Sequence, residues 1–236
     1  MYMRKILRFD QLDSTNTYAK RNCSLIADQT IIVAKTQTAG RGRLQRKWLS
    51  DQGGLYFSIV LKPQQICFLP NLTQLMALAV CQTVCTYGVP ACLKWPNDVL
   101  VNGQKICGIL SEAVVSKQGV DALILGVGIN IGQTDLTRAG QPAVSLALLG
   151  INKTAEEVLP DVTERFFAQY EQVLQQGFSA IRAAYLTHFA YIGKEVTIQN
   201  GITPVRGTVE TISPDGQLVL NTPQGQTIIS IGDMCI

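Results

Sequence analysis

The sequence predicts an α+β domain, a mixed and largely antiparallel sheet with helices, followed by a small all-β domain. Three features carry that prediction. Val99-Leu100-Val101, the turn pair Asn102-Gly103 and residues 106–115 form a hairpin, which residues 122–131 continue into an antiparallel run. Residues 72–87 have helical spacing and few charges, as a helix buried on a sheet would. After Gly193 the chain breaks into short strand-like segments separated by turn residues. Antiparallel sheets that carry helices on one face give the α+β arrangement.

Residues 6–9 read as a short strand, and Ser14-Thr15-Asn16 then offers N-cap chemistry for a helix towards Arg21. Residues 31–35 form a second strand, a polar loop spans 37–54, and residues 55–61 resume as strand. Residues 92–95 precede the hairpin as one more strand. Thr154-Ala155-Glu156-Glu157 has the form of a capping box opening a helix to Gln176, with Gly177 ending it. Pro160 removes one bond of that ladder, so the helix either kinks there or becomes regular only from that residue. Residues 178–189 read as a second helix. Strands at 195–199, 205–212, 217–221 and 227–231, with the turn Pro214-Asp215-Gly216, suggest a small barrel, which sets a domain boundary near residue 190 (1–190 and 191–236).

With 236 residues, 47% of them hydrophobic and 16% charged, the chain can bury a large core and is neither disordered nor fibrous. A net charge of +3 is too small to indicate a general nucleic-acid binder. The N-terminal stretch from Met1 to Asp10 lacks a signal-peptide apolar core, and polar residues interrupt the most apolar window, 72–93. A cytoplasmic protein with no membrane partner is therefore expected. Seven cysteines, including Cys67, make no CxxC pair, which fits a reducing compartment. Cys81 and Cys85 share a helix face and are expected to be small core residues rather than metal ligands. His188, the only histidine, reads as structural, which removes Ser-His-Asp and Cys-His catalysis and leaves no metal centre expected.

The segment Gly40-Arg41-Gly42-Arg43-Leu44-Gln45-Arg46-Lys47-Trp48 concentrates cations, two flexible glycines and an aromatic face. Arginine forks suit carboxylate or phosphate. The segment alone does not decide between a solvated basic loop, a nucleic-acid contact and a mobile anion-binding loop that folds over a charged small molecule. Lys94-Trp95-Pro96-Asn97-Asp98 shifts the balance, because lysine, amide and carboxylate surround a proline at a strand end. Lys105 opens the second hairpin strand; alternation puts it on one face with Cys107, and Gly108 follows. Gly126-Val127-Gly128-Ile129-Asn130 lets a ligand or another backbone come close, yet it is no dinucleotide fingerprint, and no P-loop is present.

These segments, in this order, resemble the catalytic core of the biotin protein ligases, with Ser14-Thr15-Asn16 and Gln37 included and the C-terminal domain resembling theirs. The resemblance implies the fold of biotin/lipoate ligases, related to class II aminoacyl-tRNA synthetases, plus an SH3-like C-terminal barrel. It implies ATP, Mg²⁺ and biotin: biotin's carboxylate attacks the α-phosphorus to form biotinyl-5′-AMP, and a lysine of a biotin carboxyl carrier protein then takes the biotinyl group. By resemblance, Ser14, Thr15, Asn16, Gln37, Gly40, Arg41, Gly42, Arg43, Lys105 and Gly108 bind biotin. Arg43, Arg46, Trp48, Lys94, Asn97 and Asn130 fall on the adenylate side. Arg43, Lys105, Lys94 and Asp98 are the expected catalytic residues: Arg41 and Arg43 stabilise the phosphorus, and Asp98 helps the acceptor amine lose its proton. The type implied is the one without an N-terminal helix-turn-helix, so no nucleic-acid partner is expected; a homodimer is allowed. The chain ends Gly232-Asp233-Met234-Cys235-Ile236, where relatives often have Gly-Glu and continue to a basic residue. Lipoate ligases and lipoyl/octanoyl transferases share the core fold and are the nearest rival, and a nucleic-acid-binding module is the rival from another class.

Overall fold

In the computed structural model, residues 4–63, 68–199 and 203–235 are described; Met1 to Met3, Cys67 and Ile236 lie outside them. Seven strands form one sheet in the order β1-β2-β3-β7-β6-β5-β4. They are β1 (Ile6–Leu12), β2 (Ile31–Gln37), β3 (Leu55–Leu61), β4 (Ala91–Lys94), β5 (Asp98–Val101), β6 (Gln104–Ser116) and β7 (Gly119–Ile129). Every pairing is antiparallel except β1 with β2. That one is parallel because the chain must cross over through α1 (Thr15–Arg21) to return.

β3 is buried along its whole length, which explains an apolar run that only Ser58 interrupts. One face, with Phe57, Ile59, Leu125 and Val127, packs with α2 (Leu69–Thr86), α3 (Ala155–Gln176) and α4 (Arg182–His188) in the main core. The other face, with Ile32, Val60 and Ile124, is closed by Ala19 of α1 and by Cys23 and Ile26. Alternation along each strand thus sorts two sets of branched side chains to two layers.

The capping box forms as expected: Glu157 N donates to Thr154 Oγ1 (3.3 Å), and Thr154 N donates to Glu157 Oε2 (2.8 Å). α3 nonetheless runs without interruption from Ala155, so Pro160 neither delays nor ends it. The single helix expected at 178–189 is instead a short 3₁₀ turn, Gly177–Ala180, followed by α4.

A second sheet of five antiparallel strands follows, in the order β11-β10-β9-β8-β12. Its strands are β8 (Glu195–Gln199), β9 (Val205–Ile212), β10 (Leu218–Thr222), β11 (Gly225–Ile229) and β12 (Asp233–Cys235). β11 and β12 remain as edges, so the pairing is not that of a closed barrel, and β12 was absent from the sequence expectation. The Pro214-Asp215-Gly216 turn is the docking element. Trp95 Nε1 and Gln74 Nε2 both donate to Gly216 O (3.0 and 2.7 Å), and Asn71 Nδ2 donates to Asp215 O (3.1 Å). Each such buried bond contributes about 1 kcal/mol, and the apolar core continues across the junction through Val196, Ile198 and Met234.

Candidate active site beneath the basic loop

Glycines on two paired strands make the floor. Gly108 on β6 lies opposite Gly128 on β7, and Gly126 is two residues from Gly128 on the same face. A Cβ at Gly126 would run into the Asn16 amide, and one at Gly128 into the Trp48 indole. At Gly108 it would meet Trp48 Cζ3 and Lys105 Cε at 3.0 Å. The glycines therefore leave room for the Asn16, Trp48 and Lys105 side chains, and all three also line the cavity.

One wall is a closed polar network at the start of α1. Thr15 N and Oγ1 donate to Gln37 Oε1 (2.8 and 3.3 Å), and Gln37 Nε2 donates to Ser50 Oγ (2.9 Å). Ser58 Oγ donates to Asn16 Oδ1 (2.6 Å) and stands 2.7 Å from Thr15 Oγ1. Asn16 Nδ2 donates to Leu110 O (3.2 Å) and Glu112 Oε2 (2.9 Å). Burial would raise the Glu112 carboxyl, but hydrogen bonds from Lys20 and Asn16, with the charges of Lys20 and Arg41, outweigh it and hold it below the usual value. Gly40 does not line the cavity; its Cβ position is taken by Ser50 Oγ and Trp48 O, so its role is to let the loop base close.

The loop folds over this floor. Trp48 N donates to Gly40 O (2.9 Å) and Gly42 N to Arg46 O (2.7 Å), while Leu44 and Gln45 are held left-handed at φ 52° and 59°. Two consecutive non-glycine residues in that region carry strain. Arg43 Nη1 donates to Asn97 Oδ1 (3.1 Å) and lies 3.1 Å from Asp233 Oδ1; Arg46 Nη2 lies 2.7 Å from Asp233 Oδ2. Arg41 turns the other way, donating to Thr17 Oγ1 (3.2 Å) and facing Glu112 at 3.8 Å. Arg43 and Arg46 thus share Asp233 while Arg41 turns towards Glu112, and both Arg41 and Arg43 line the one cavity.

A β-bulge aims the lysine. Between β5 and β6 the register steps from Val99↔Cys107 to Leu100↔Lys105, so one β5 step faces two on β6. Lys105 therefore joins Gly108 in the cavity, while Cys107 is buried in the core, where burial raises its thiol pKa. This corrects the expectation that Lys105 and Cys107 share a face. Lys105 Nζ lies 2.8 Å from Asp98 Oδ1 and 5.4 Å from the Trp48 ring centroid. The charges of that ion pair touch, but Asp98 Oδ1 and Asp233 Oδ2 lack aligned hydrogen-bond partners, as does Trp48 Nε1. The cavity thus combines a hydrogen-bonded polar wall with ion-paired carboxylates and one buried donor, Trp48 Nε1, that has no partner.

Ser14, Thr15, Asn16, Gln37, Arg41, Gly42, Arg43, Arg46, Trp48, Asn97, Asp98, Lys105 and Gly108 all line one cavity. Lys94 is placed across from Asp98 at the edge of the sheet and is not in the lining. Asn130 spends both amide hydrogens on Lys105 O (3.3 Å) and Val144 O (3.1 Å), so it holds the backbone behind Lys105. Sequence reasoning missed Ser58, Glu112 and Asp233. A lone serine inside the apolar run 55–61 was a usable signal, since a buried hydroxyl needs partners; Glu112 sits beyond the bulge that resets the alternation. Nothing local marks Asp233.

A model for the biotin/lipoate A/B protein ligase family matches residues 8–130, and one for the biotin protein ligase C-terminal domain matches residues 191–235. The biotin–[acetyl-CoA-carboxylase] ligase of Paracoccus denitrificans is 31% identical over 234 residues, covering 94% of this chain and 96% of its own. The bifunctional ligase/repressor BirA of Bacillus subtilis is 30% identical, over 93% of this chain and 70% of its own. The biotin protein ligase from Aquifex aeolicus in complex with biotin and ATP superposes with a TM-score of 0.87 at 31% identity, over 99% of this chain and 98% of that one.

Proposed function

The chain belongs to the biotin/lipoate A/B protein ligase family, and from that premise we propose that it activates biotin as biotinyl-5′-AMP and passes it to a lysine of a biotin carboxyl carrier protein. The observation that carries this reading is the convergence of Arg43, Lys105 and Asp98 with Thr15, Asn16 and Gln37 in one cavity under the loop, backed by the buried Ser58.

In the first step a biotin carboxylate oxygen bonds to the α-phosphorus of ATP, and the bond to the β-phosphate oxygen breaks, releasing pyrophosphate. Arg43 and Lys105 offset the charge gathered at that phosphorus. Arg46, Trp48 and Asn97 hold the adenylate side. The polar wall, with Gly42 and Gly108, takes biotin's hydrogen-bonding ring; an apolar dithiolane would have no use for it, which favours biotin over lipoate. In the second step the carrier amine attacks the acyl carbon, AMP leaves, and Asp98 orients the amine or takes its proton. The loop shields the mixed anhydride from water. Lys94 and Asn130 act through the backbone around the cavity rather than by contact.

Mg²⁺ supplies charge neutralisation on the triphosphate. The cavity carboxylates do not fit it as resident ligands, because Asp98 and Asp233 are both in ion pairs; the ion belongs with the nucleotide. Residues 1–190 form the catalytic unit and 191–236 the C-terminal unit. The carrier is an acetyl-CoA carboxylase subunit or a similar protein. Among the described residues, no helix is long and apolar enough to cross a membrane. The nucleic-acid reading weakens, because Arg41, Arg43 and Arg46 turn to the protein's own carboxylates.

A streptavidin blot of a carrier domain incubated with the protein, ATP and biotin tests the proposal. Labelling confined to one carrier lysine supports it, and none rejects it. Asp98→Asn is expected to slow single-turnover transfer from preformed biotinyl-AMP by about 10²-fold or more. An unchanged rate removes Asp98 from that role.

A further inference from the structure

The lone histidine and two of the cysteines meet in space. Cys81 and Cys85 lie one turn apart on α2, and His188 ends α4, which packs on α2. Their ligand atoms all fall within 4.8 Å of one another, with Cys81 buried and the other two half-buried. A tetrahedral zinc with Zn–S near 2.3 Å and Zn–N near 2.0 Å needs ligand atoms roughly 3.5–3.8 Å apart. The three groups therefore need only a small inward shift.

We propose that Cys81, Cys85 and His188 form a binding site for one soft divalent cation, zinc by preference, which staples α2 to the segment leading into the C-terminal sheet. Two thiolates and an imidazole are the donor set such a cation selects over oxygen-seeking Mg²⁺ or Ca²⁺. The half-buried edge gives an entry path and leaves a fourth position to water. Cysteine ligates as the thiolate, so binding releases protons and tightens as pH rises. The site lies in the helical layer, apart from the cavity under the basic loop, and is independent of the proposed ligase activity.

The test uses the full-length, reduced, chelator-treated protein, with Co²⁺ as spectroscopic probe and Zn²⁺ as competitor. One equivalent of Co²⁺ should give a thiolate-to-metal charge-transfer band that Zn²⁺ displaces, with protons released on binding. Cys85→Ser and His188→Gln, chosen because both positions are half-buried, should each weaken binding by about a hundredfold or more. Their circular dichroism should remain that of the parent. No charge-transfer band at one equivalent would overturn the site. So would a band that persists unchanged in both variants, since the remaining cysteines would then be responsible.

Discussion

The two halves of the cavity are built differently. The wall at α1 is pre-joined: Thr15, Asn16, Gln37 and Ser58 are linked by bonds of 2.6–3.3 Å, and Asn16 reaches on to Glu112. The loop half is held by ion pairs, with Asp98, Asp233 and Trp48 each keeping an atom without an aligned partner and with left-handed backbone at Leu44 and Gln45. A pre-joined network holds its remaining groups, such as the second hydrogen of Gln37 Nε2, in place at little reorganisation cost. An ion-paired loop can exchange a protein carboxylate for a ligand anion, because both bond arginine in the same way. The contrast therefore assigns rigid recognition to the wall and closure with charge stabilisation to the loop.

The most severe way to break the wall is Gly126→Val, whose side chain would displace Asn16. Overpacking costs about 1–3 kcal/mol, and biotin binding should be abolished in calorimetry; intact binding would show that Asn16 is not needed where it stands. Next, Arg43→Ala should cut adenylate formation by about 10²–10³-fold with little change in stability, read by pyrophosphate exchange. A loss of stability in place of activity would make Arg43 a structural residue.

Glu112→Gln sharpens the comparison on the wall side. The folded carboxyl sits below its ordinary value of 4.5, so its stabilisation is fully present above that value and is lost as pH falls through the lower, folded one. Denaturation at neutral pH should show the variant less stable by about 1–3 kcal/mol, with the gap closing in acid; a gap independent of pH would refute the charge argument. The smallest effect is expected from Asp233→Asn, which removes the carboxylate that Arg43 and Arg46 share. Arg46 is exposed but Arg43 and Asp233 are largely covered, and asparagine keeps an acceptor for both guanidinium groups, so the loop should be cut faster by trypsin and the KM for ATP should fall a few-fold. An unaltered digestion rate would show that the pair does not hold the loop.

Much of this was legible in the residues. The Asn102-Gly103 hairpin, the Thr154–Glu157 capping box and the turn at 214–216 depend on local chemistry, and each formed. The cavity residues were found because loop, strand end and hairpin each carried an unusual cluster. What escaped was non-local. The bulge that separates Lys105 from Cys107 depends on how β5 meets β6, and Asp233 reaches Arg43 only because β12 pairs beside β8. The closeness of His188 to Cys81 and Cys85 arises from α4 packing on α2, which no spacing along the chain encodes.

Pyrophosphate exchange into ATP, measured with the unmodified protein in the presence of biotin or lipoate, tests the central claim most directly. The account predicts exchange that requires biotin, is not supported by lipoate, and collapses in Arg43→Ala. Exchange supported equally by lipoate, or none with either acid, would contradict it.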